Sequence, residues 1–179
     1  MIPHHIFSVP DFTEHKQNLI DLIFNIPINS LNSGNDKISH QDYNMPEIRE
    51  RKYVEYFKNK IFFKFVDSIC NFYCCNGVQM TKIWFQVYKK DDCHNIHSHP
   101  KTNLTNIFYI NLPNKKLTTQ IFLPQNKLFK LNIKEGDIVT FPGYYAHKSP
   151  INNLNEDKII ISFNTDLIYG DEDNYNKEY

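Results

Sequence analysis

The first part of the chain has the apolar spacing of helices. One apolar cluster follows Asp11 and Thr13, either of which could cap a helix. Its members are Leu19, Ile20, Leu22, Ile23 and Phe24. A longer amphipathic segment extends from about Pro46 to Cys75, and its apolar residues are Tyr53, Phe57, Ile61, Phe65, Ile69 and Phe72. These patterns predict two helical regions, the second continuous or interrupted, that pack against the outer face of a sheet.

The pattern changes further along the chain. Residues 30–44 are polar and rich in asparagine, which is typical of a loop. In the second half, short β-branched runs are separated by turn signals, which are Asp91-Asp92, Pro113-Asn114, Pro124-Gln125 and Glu135-Gly136. This alternation predicts about eight short strands.

The order of these elements predicts the fold. It is mainly β with N-terminal helices, of the double-stranded β-helix type, also called a jelly roll and shared with cupins. A length of 179 residues is typical of a single domain. We expect residues 1–78 to be a mostly helical support, residues 79–168 to form the double-stranded β-helix, and residues 169–179 to be a flexible acidic tail.

A lysine begins the last predicted strand. Because side chains alternate between the two faces of a strand, Lys158 shares its face with Ile160, Ser162 and Asn164. The other face is apolar. A lysine at such a position is normally exposed to solvent, but inside a barrel it would bind an anion.

Three of the eight histidines lie within Asp91–Pro100. In a strand, His97 and His99 would project to one side and His94 to the other. Neutral imidazoles bind iron, zinc, copper or nickel. A His-x-His motif alone is a weak signal, since such pairs are more often polar loop residues. However, His147 follows a turn, a short strand and a proline, and it is the best candidate for a third ligand. The sequence predicts an open metal site of the catalytic kind.

Charge and cysteine content exclude several classes of function. The 20 basic residues balance the 20 acidic ones, which argues against general nucleic-acid binding. The four cysteines form no regular framework, as expected for free thiols in a reducing compartment. The sequence has neither a signal-peptide pattern nor an apolar segment of membrane-spanning length. We expect a cytoplasmic protein, of a cell or of an infected host, without membrane association.

The motifs together resemble those of the iron(II)- and 2-oxoglutarate-dependent dioxygenase superfamily. The resemblance is to the branch of such oxygenases that is common in phages and marine bacteria, and it covers roughly residues 83–164. The order and spacing carry it, rather than any single motif. The matching segments are Trp84-Phe85-Gln86, His97-Ser98-His99-Pro100, Phe108-Tyr109, Gly136-Asp137, Phe141-Pro142, His147 and Lys158-Ile159-Ile160-Ile161-Ser162-Phe163-Asn164.

This resemblance implies an enzyme that couples oxidative decarboxylation of 2-oxoglutarate to hydroxylation of a substrate by molecular oxygen. It implies Fe(II) bound by His97, His99 and His147, with 2-oxoglutarate as cosubstrate and ascorbate as a candidate reductant. The substrate would be a protein side chain or a small metabolite. Residues 30–44 would then lie near the site entrance, although a plain connector is an equal alternative.

The resemblance also implies which residues hold 2-oxoglutarate. Lys158 matches the cation that binds its far carboxylate. Gln86 and Tyr88 share one strand face, and their spacing before His97 is similar to that of a donor pair in the nucleic-acid dealkylase branch. Tyr109 is a further candidate donor, and core packing is the alternative role for both tyrosines.

Several residues depart from the superfamily pattern. Position 99 usually carries Asp or Glu, so that the site has two histidines and one carboxylate. His99 would make all three ligands neutral, and it would also fill the position that a halogenating enzyme leaves for halide. The branch has Asn where Gln86 stands, Arg where Lys158 stands and Ser where Ile160 stands.

Two other classes remain open. A cupin metalloenzyme with a three-histidine iron would not use 2-oxoglutarate; the run Gly136, Pro142, His147 is close to a cupin motif, although no Glu follows the His-x-His. A non-catalytic jelly roll with a degenerate site is the third hypothesis. Binding of metal and of 2-oxoglutarate distinguishes the three.

Overall fold

The computed structural model describes residues 3–27, 29–45 and 50–170. Its largest sheet has six antiparallel strands in the order β1, β10, β7, β12, β5, β4. These strands are β1 (His5–Ser8), β10 (Asp137–Pro142), β7 (Leu104–Asn111), β12 (Lys158–Ile168), β5 (Gly77–Tyr88) and β4 (His40–Gln41). The long β12 lies in the middle and pairs along its length with β5 and β7.

A four-stranded sheet lies opposite the large one, in the order β6, β11, β8, β9. Its strands are β6 (His94–His97), β11 (His147–Ser149), β8 (Gln120–Leu123) and β9 (Lys127–Phe129). A separate hairpin pairs β2 (Leu31–Ser33) with β3 (Asp36–Ile38). Consecutive strands from β5 onward distribute between the two facing sheets, which confirms the predicted double-stranded β-helix.

Helices cover the outer face of the large sheet. Helix α1 is Phe12–Phe24, and α2 (Lys52–Phe57) continues through a π-helical turn (Lys58–Phe62) into α3 (Phe63–Tyr73). The predicted apolar row is buried along this second helix, apart from Phe72, which is 46% exposed. The π-helical turn contains one residue more than an α-helical turn. Apolar residues that recur at every fourth position therefore stay on one face of the helix. The predicted start of this helix at Pro46 lies outside the described residues.

The large sheet separates two cores. On its outer face, aromatic rings from α2, α3 and the sheet pack together, and the fully buried ones are Tyr53, Phe57, Phe65, Phe85, Phe108 and Phe163. Each such burial contributes roughly 1.5–3 kcal/mol. The inner core, between the sheets, contains Tyr88, Tyr109, Phe141, Ile121 and Ile160. The alternation predicted for β5 and β12 thus matches their two faces.

The N-terminal part differs in one respect from the mostly helical support that the sequence predicts. Four short strands lie there besides the helices, and two of them, β1 and β4, extend the large sheet at its edges. The segment predicted as a polar loop contains β2, β3 and β4. Strands this short carry too few residues for alternation to reveal them. Of the predicted tail, residues 171–179 lie outside the described part of the chain.

In the described ranges of the chain, no helix has both the length and the apolar character needed to cross a membrane.

Candidate metal centre

Two of the three predicted ligands lie side by side on neighbouring strands of the small sheet. His97 ends β6 and His147 begins β11, and they are register partners in the antiparallel pair. His99 follows β6 in irregular backbone. One ligand atom from each of the three imidazoles lies within 4.8 Å of the others. Three converging nitrogens at this separation can bind one metal ion and leave other coordination positions open.

Gly143 fixes the position of His99. The His99 backbone N–H donates to the Gly143 carbonyl oxygen at 2.7 Å. A Cβ atom at position 143 would lie 2.6 Å from the carbonyl oxygens of both His99 and Thr102. Only glycine therefore allows the turn before His147 to approach the segment carrying His99 so closely.

The tautomers of two of the predicted ligands are set by the backbone. His97 Nδ1 lies 2.8 Å from the carbonyl oxygen of Asn95, and His147 Nδ1 lies 3.0 Å from that of Tyr145. A carbonyl only accepts, so each Nδ1 carries the proton and each Nε2 keeps its lone pair. Hydrogen bonds of this kind orient metal-binding histidines and fix their tautomer.

The histidines are neutral at physiological pH. Burial, followed by repulsion from His97, lowers the pKa of His99 to about 4 and that of His147 to about 3. Burial also lowers the pKa of His97. Metal ions bind the unprotonated imidazole, so protons do not compete for these nitrogens near pH 7.

His94 lies closer to this centre than strand alternation predicts. Its ring stacks on that of His97 with centroids 4.0 Å apart, although the two positions should face opposite sides. The register explains this, because three residues of β11, from His147 to Ser149, oppose four of β6, from His94 to His97. Such a bulge adds one residue to a strand and reverses the alternation beyond it.

Lys158 is completely buried in the inner core. Its Nζ donates to Ser149 Oγ at 2.8 Å and lies 5.0 Å and 5.9 Å from the ring centres of Tyr88 and Tyr109. Among the described residues, no carboxylate pairs with it. Burial lowers the pKa of Lys158 to about 7. A buried ammonium without a counter-ion is unfavourable unless an anion binds beside it.

A narrow cavity contains the three histidines and extends towards Lys158. Gln86, Tyr88 and Ser149 also line it. Its volume is about 20 Å³, which admits about one water molecule. Gln86 is held on both sides, by His94 Nδ1 at 3.3 Å and by the Ser162 hydroxyl at 3.4 Å. A larger ligand therefore requires some of the lining side chains to move.

The remaining predicted donor, Tyr109, makes a hydrogen bond to the protein backbone. It is fully buried beneath Lys158, and its hydroxyl accepts from the Thr119 backbone N–H at 3.0 Å. Burial raises its pKa to about 12, so it remains a neutral phenol. Its ring contributes to the surroundings of the lysine, and its hydroxyl oxygen is already engaged.

Ser149 and Thr105 are among the cavity residues that the sequence analysis missed. Ser149 contacts Lys158, and Thr105, which is 1% exposed, has a buried hydroxyl without a hydrogen-bond partner in the described structure. Alternation could have identified both, since Ser149 is two residues after His147 and Thr105 is four before Tyr109. An unpartnered buried hydroxyl next to the histidines is available to a ligand.

No carboxylate joins the three histidines in the described structure. Asp92 is buried, but it accepts from the Ser39 and Lys89 backbone N–H groups and pairs with Lys37. Asp91 occupies a turn with positive φ. Both aspartates therefore have the structural role that the sequence indicates, and the donor set consists of imidazoles, which suit Fe(II) among other metals.

No family model matches the sequence, and no curated protein is similar to it. Solved structures do resemble it. An oxidoreductase of the 2OG-Fe(II) oxygenase family from Burkholderia pseudomallei has a TM-score of 0.68 at 10% identity, over 92% of this chain and 85% of that one. A prolyl hydroxylase from Trichoplax adhaerens, in complex with a hypoxia-inducible-factor peptide, has a TM-score of 0.64 at 13% identity, over 100% and 89%.

A third similar structure is the viral collagen prolyl hydroxylase of Paramecium bursaria Chlorella virus-1, with a TM-score of 0.57 at 14% identity, over 93% of this chain and 96% of that one. At these identities the likeness establishes the fold. The chain thus has the double-stranded β-helix found in enzymes that use iron and 2-oxoglutarate.

Proposed function

We propose that this protein is an iron(II)- and 2-oxoglutarate-dependent oxygenase, of the hydroxylating kind. The observation that carries the proposal is the pairing of two features in one barrel. These are three converging neutral imidazoles and, close by, a buried lysine with no carboxylate partner among the described residues. A metal ion suits the first and an anion suits the second. 2-Oxoglutarate is an anion that can bind both, since its keto-acid end chelates metal and its other end is a carboxylate.

In this proposal each residue has a defined task. His97, His99 and His147 bind Fe(II) through their unprotonated nitrogens. Lys158, steadied by Ser149, binds the far carboxylate of 2-oxoglutarate. The bound metal supplies activation of oxygen, while the chain supplies orientation and a barrel interior that excludes water.

Gln86, Tyr88 and Tyr109 complete the proposed cosubstrate site. Gln86 presents an amide between the histidines and the inner core, and Tyr88 lines the same cavity. The ring of Tyr109 lies beneath the lysine. The narrow space around them requires the side chain of Gln86 or its neighbours to move when 2-oxoglutarate binds.

The fold supports this proposal without naming a substrate. Similar structures include a prolyl hydroxylase with a peptide and SnoN, an epimerase of nogalamycin biosynthesis. A protein side chain and a small metabolite are thus both represented among proteins of this fold. Ascorbate as a reductant and a cytoplasmic location belong to the proposal as expectations from the sequence.

One observation favours a second candidate. His99 makes the ligand set three histidines, which is also typical of iron enzymes of the cupin class that do not use 2-oxoglutarate. An enzyme that does not bind 2-oxoglutarate would not need a buried lysine such as Lys158, which has no carboxylate partner among the described residues. Lys158 therefore distinguishes the two candidates, and its removal is the appropriate test.

The test is 2-oxoglutarate binding to protein loaded with Mn(II), a redox-stable substitute for iron, measured by calorimetry. Lys158→Met should weaken 2-oxoglutarate binding at least about tenfold, because a hydrogen-bonded charge pair is lost, and should leave Mn(II) binding intact. Lys148→Met is the matched control, since Lys148 follows His147 in β11 but lies over the Phe122 ring and does not line the cavity. Equal 2-oxoglutarate affinity in both variants would contradict the assignment of Lys158.

A further inference from the structure

A second, wider cavity adjoins the metal centre. It has a volume of about 320 Å³ and lies between the β2–β4 segment and the strand that carries the histidines. We call it the chamber; the residues of its lining that define it here are Gln41, Tyr43, Trp84, Gln86, His97 and His99. A molecule in the chamber would contact two of the three proposed metal ligands.

The wall formed by the β2–β3 hairpin is fixed in place. Asp36 Oδ1 accepts from the Asn95 backbone N–H at 2.6 Å, and Lys37 and Cys93 exchange two backbone hydrogen bonds at 3.0 Å and 2.8 Å. The hairpin is thereby tied to the segment leading into β6. The wall of the chamber is therefore held by hydrogen bonds and is not a loose loop.

The chemistry of the chamber suits an uncharged group. Its described lining contains no Asp, Glu, Lys or Arg. Tyr43 and Trp84 meet edge to face at 5.1 Å, and the amides of Gln41, Asn44 and Gln86 provide hydrogen bonds. An ionised group would lose its hydration there without gaining a partner, whereas a neutral, partly apolar group would be well accommodated.

A groove of about 370 Å³ leads out of the chamber. The two spaces share Tyr43, Ser98 and His99, and the groove continues over Lys82, Lys101 and Thr102. No acidic residue lines its described part, and no ion pair among the described residues involves either lysine. The groove is therefore a positively charged path that begins at the metal centre.

We propose that the substrate is a polypeptide with an acidic segment, which lies in the groove over Lys82 and Lys101 and places an uncharged side chain in the chamber. This inference rests on the proposed function in taking the occupant of the chamber as the substrate. The neutral chamber selects the reacting side chain, and the two lysines select its flanking residues by charge complementarity.

A nucleic acid fits the same surface less well. Single strands are bound by stacking bases on exposed aromatic rings along a series of cations. Tyr43 is exposed, but the Lys82 ammonium lies 3.2 Å from its ring centre and covers that face. Two lysines also make few phosphate contacts.

Trp84 makes the proposal measurable, because it is the single tryptophan of the chain. It lies in the chamber wall, with its ring 5.7 Å from that of His99. Tryptophan-free peptides with acidic, neutral or basic flanks and a varied central residue can be titrated while Trp84 emission is recorded. The titrations use the full chain, both without additions and loaded with Mn(II) and 2-oxoglutarate.

We expect acidic-flanked peptides with a neutral central residue to bind most tightly and to change Trp84 emission. The double variant Lys82→Gln/Lys101→Gln should weaken them about five- to tenfold, a typical size for two exposed charge contacts. The matched control is Lys115→Gln/Lys116→Gln, which removes two lysines from a separate groove and should change nothing.

Three results would overturn the inference: no preference for acidic flanks, equal effects of the two double variants, or tighter binding of a single-stranded oligonucleotide than of any peptide. Failure of the proposed function has a different signature. In that case 2-oxoglutarate would not bind the Mn(II) protein, while the peptide preference measured without additions would remain.

Discussion

His99 is the residue that most distinguishes this site from the usual two-histidine, one-carboxylate arrangement. Its pKa, like that of His147, is lowered by burial and by the other imidazoles, so these side chains are neutral at pH 7 and do not offset the charge of a metal ion. A divalent ion here would lie in a barrel that also contains a buried, unpaired ammonium. Bound 2-oxoglutarate, a dianion, would offset two of these three positive charges, which gives it a larger electrostatic role than a carboxylate ligand would leave it.

The pKa of Lys158 leads to a prediction about pH. Burial lowers this pKa to about 7 in the free protein, and a bound carboxylate favours the protonated form. Above pH 7, 2-oxoglutarate must therefore bind together with a proton, and its affinity should fall by up to about tenfold per pH unit. Below pH 7 the lysine is already charged, and the affinity should level off.

Calorimetry in buffers of different ionisation enthalpy checks this prediction, because proton uptake should appear near pH 8. Lys158→Arg is the matched control: arginine stays protonated, so any binding that it retains should be independent of pH in this range. An affinity of the unmodified protein that is constant from pH 6.5 to 8.5 would contradict the lowered pKa of Lys158.

At the scale of elements, the site depends on the close contact between the turn after β10 and the segment after β6. Gly143→Ala would place a Cβ against two carbonyl oxygens at 2.6 Å. We expect it to displace His99, to lower metal affinity about tenfold or more, and to destabilise the fold by about 1–3 kcal/mol, the usual cost of overpacking.

Gly77→Ala is the matched control for that change, because a Cβ at Gly77 would only make ordinary contacts with Ile168 at 3.5 Å and 3.8 Å. Metal affinity from competition with a chelating dye, and unfolding in urea, measure the two effects. If the Gly143 variant binds metal as tightly as the Gly77 variant, the position of His99 does not depend on this turn.

The elements also show what a sequence can predict. The two faces of β5 and β12 follow from alternation, because both strands are long and one face of each is apolar. The predicted direction of the His94 side chain was wrong because of a bulge. A bulge depends on how β6 pairs with β11, and neither strand's sequence alone determines that pairing. Strands β1 to β4 were missed because they have two to four residues and are defined by their partners. Ser149 and Thr105 could have been identified by continuing the same alternation.

In the whole molecule, the large sheet separates an apolar core on its outer face from the polar residues of the proposed site on its inner face. Its outer face is sealed by helices α1 to α3 and an aromatic core. Its inner face presents Gln86 and Lys158 to a barrel that opens beside the β2–β3 hairpin. The residues of the proposed site thus come from strands far apart in sequence, and only the closed sheet brings them together.

In the proposed enzyme, the three histidines hold iron and 2-oxoglutarate chelates it. The most direct measurement of this chelation is the visible spectrum of the protein reconstituted with Fe(II) without oxygen, before and after addition of 2-oxoglutarate. We expect a charge-transfer band to appear and to be absent in His147→Ala. It should persist in His15→Ala, since His15 lies on α1 and contacts Tyr56. Iron that binds without any band when 2-oxoglutarate is added would contradict the proposed function.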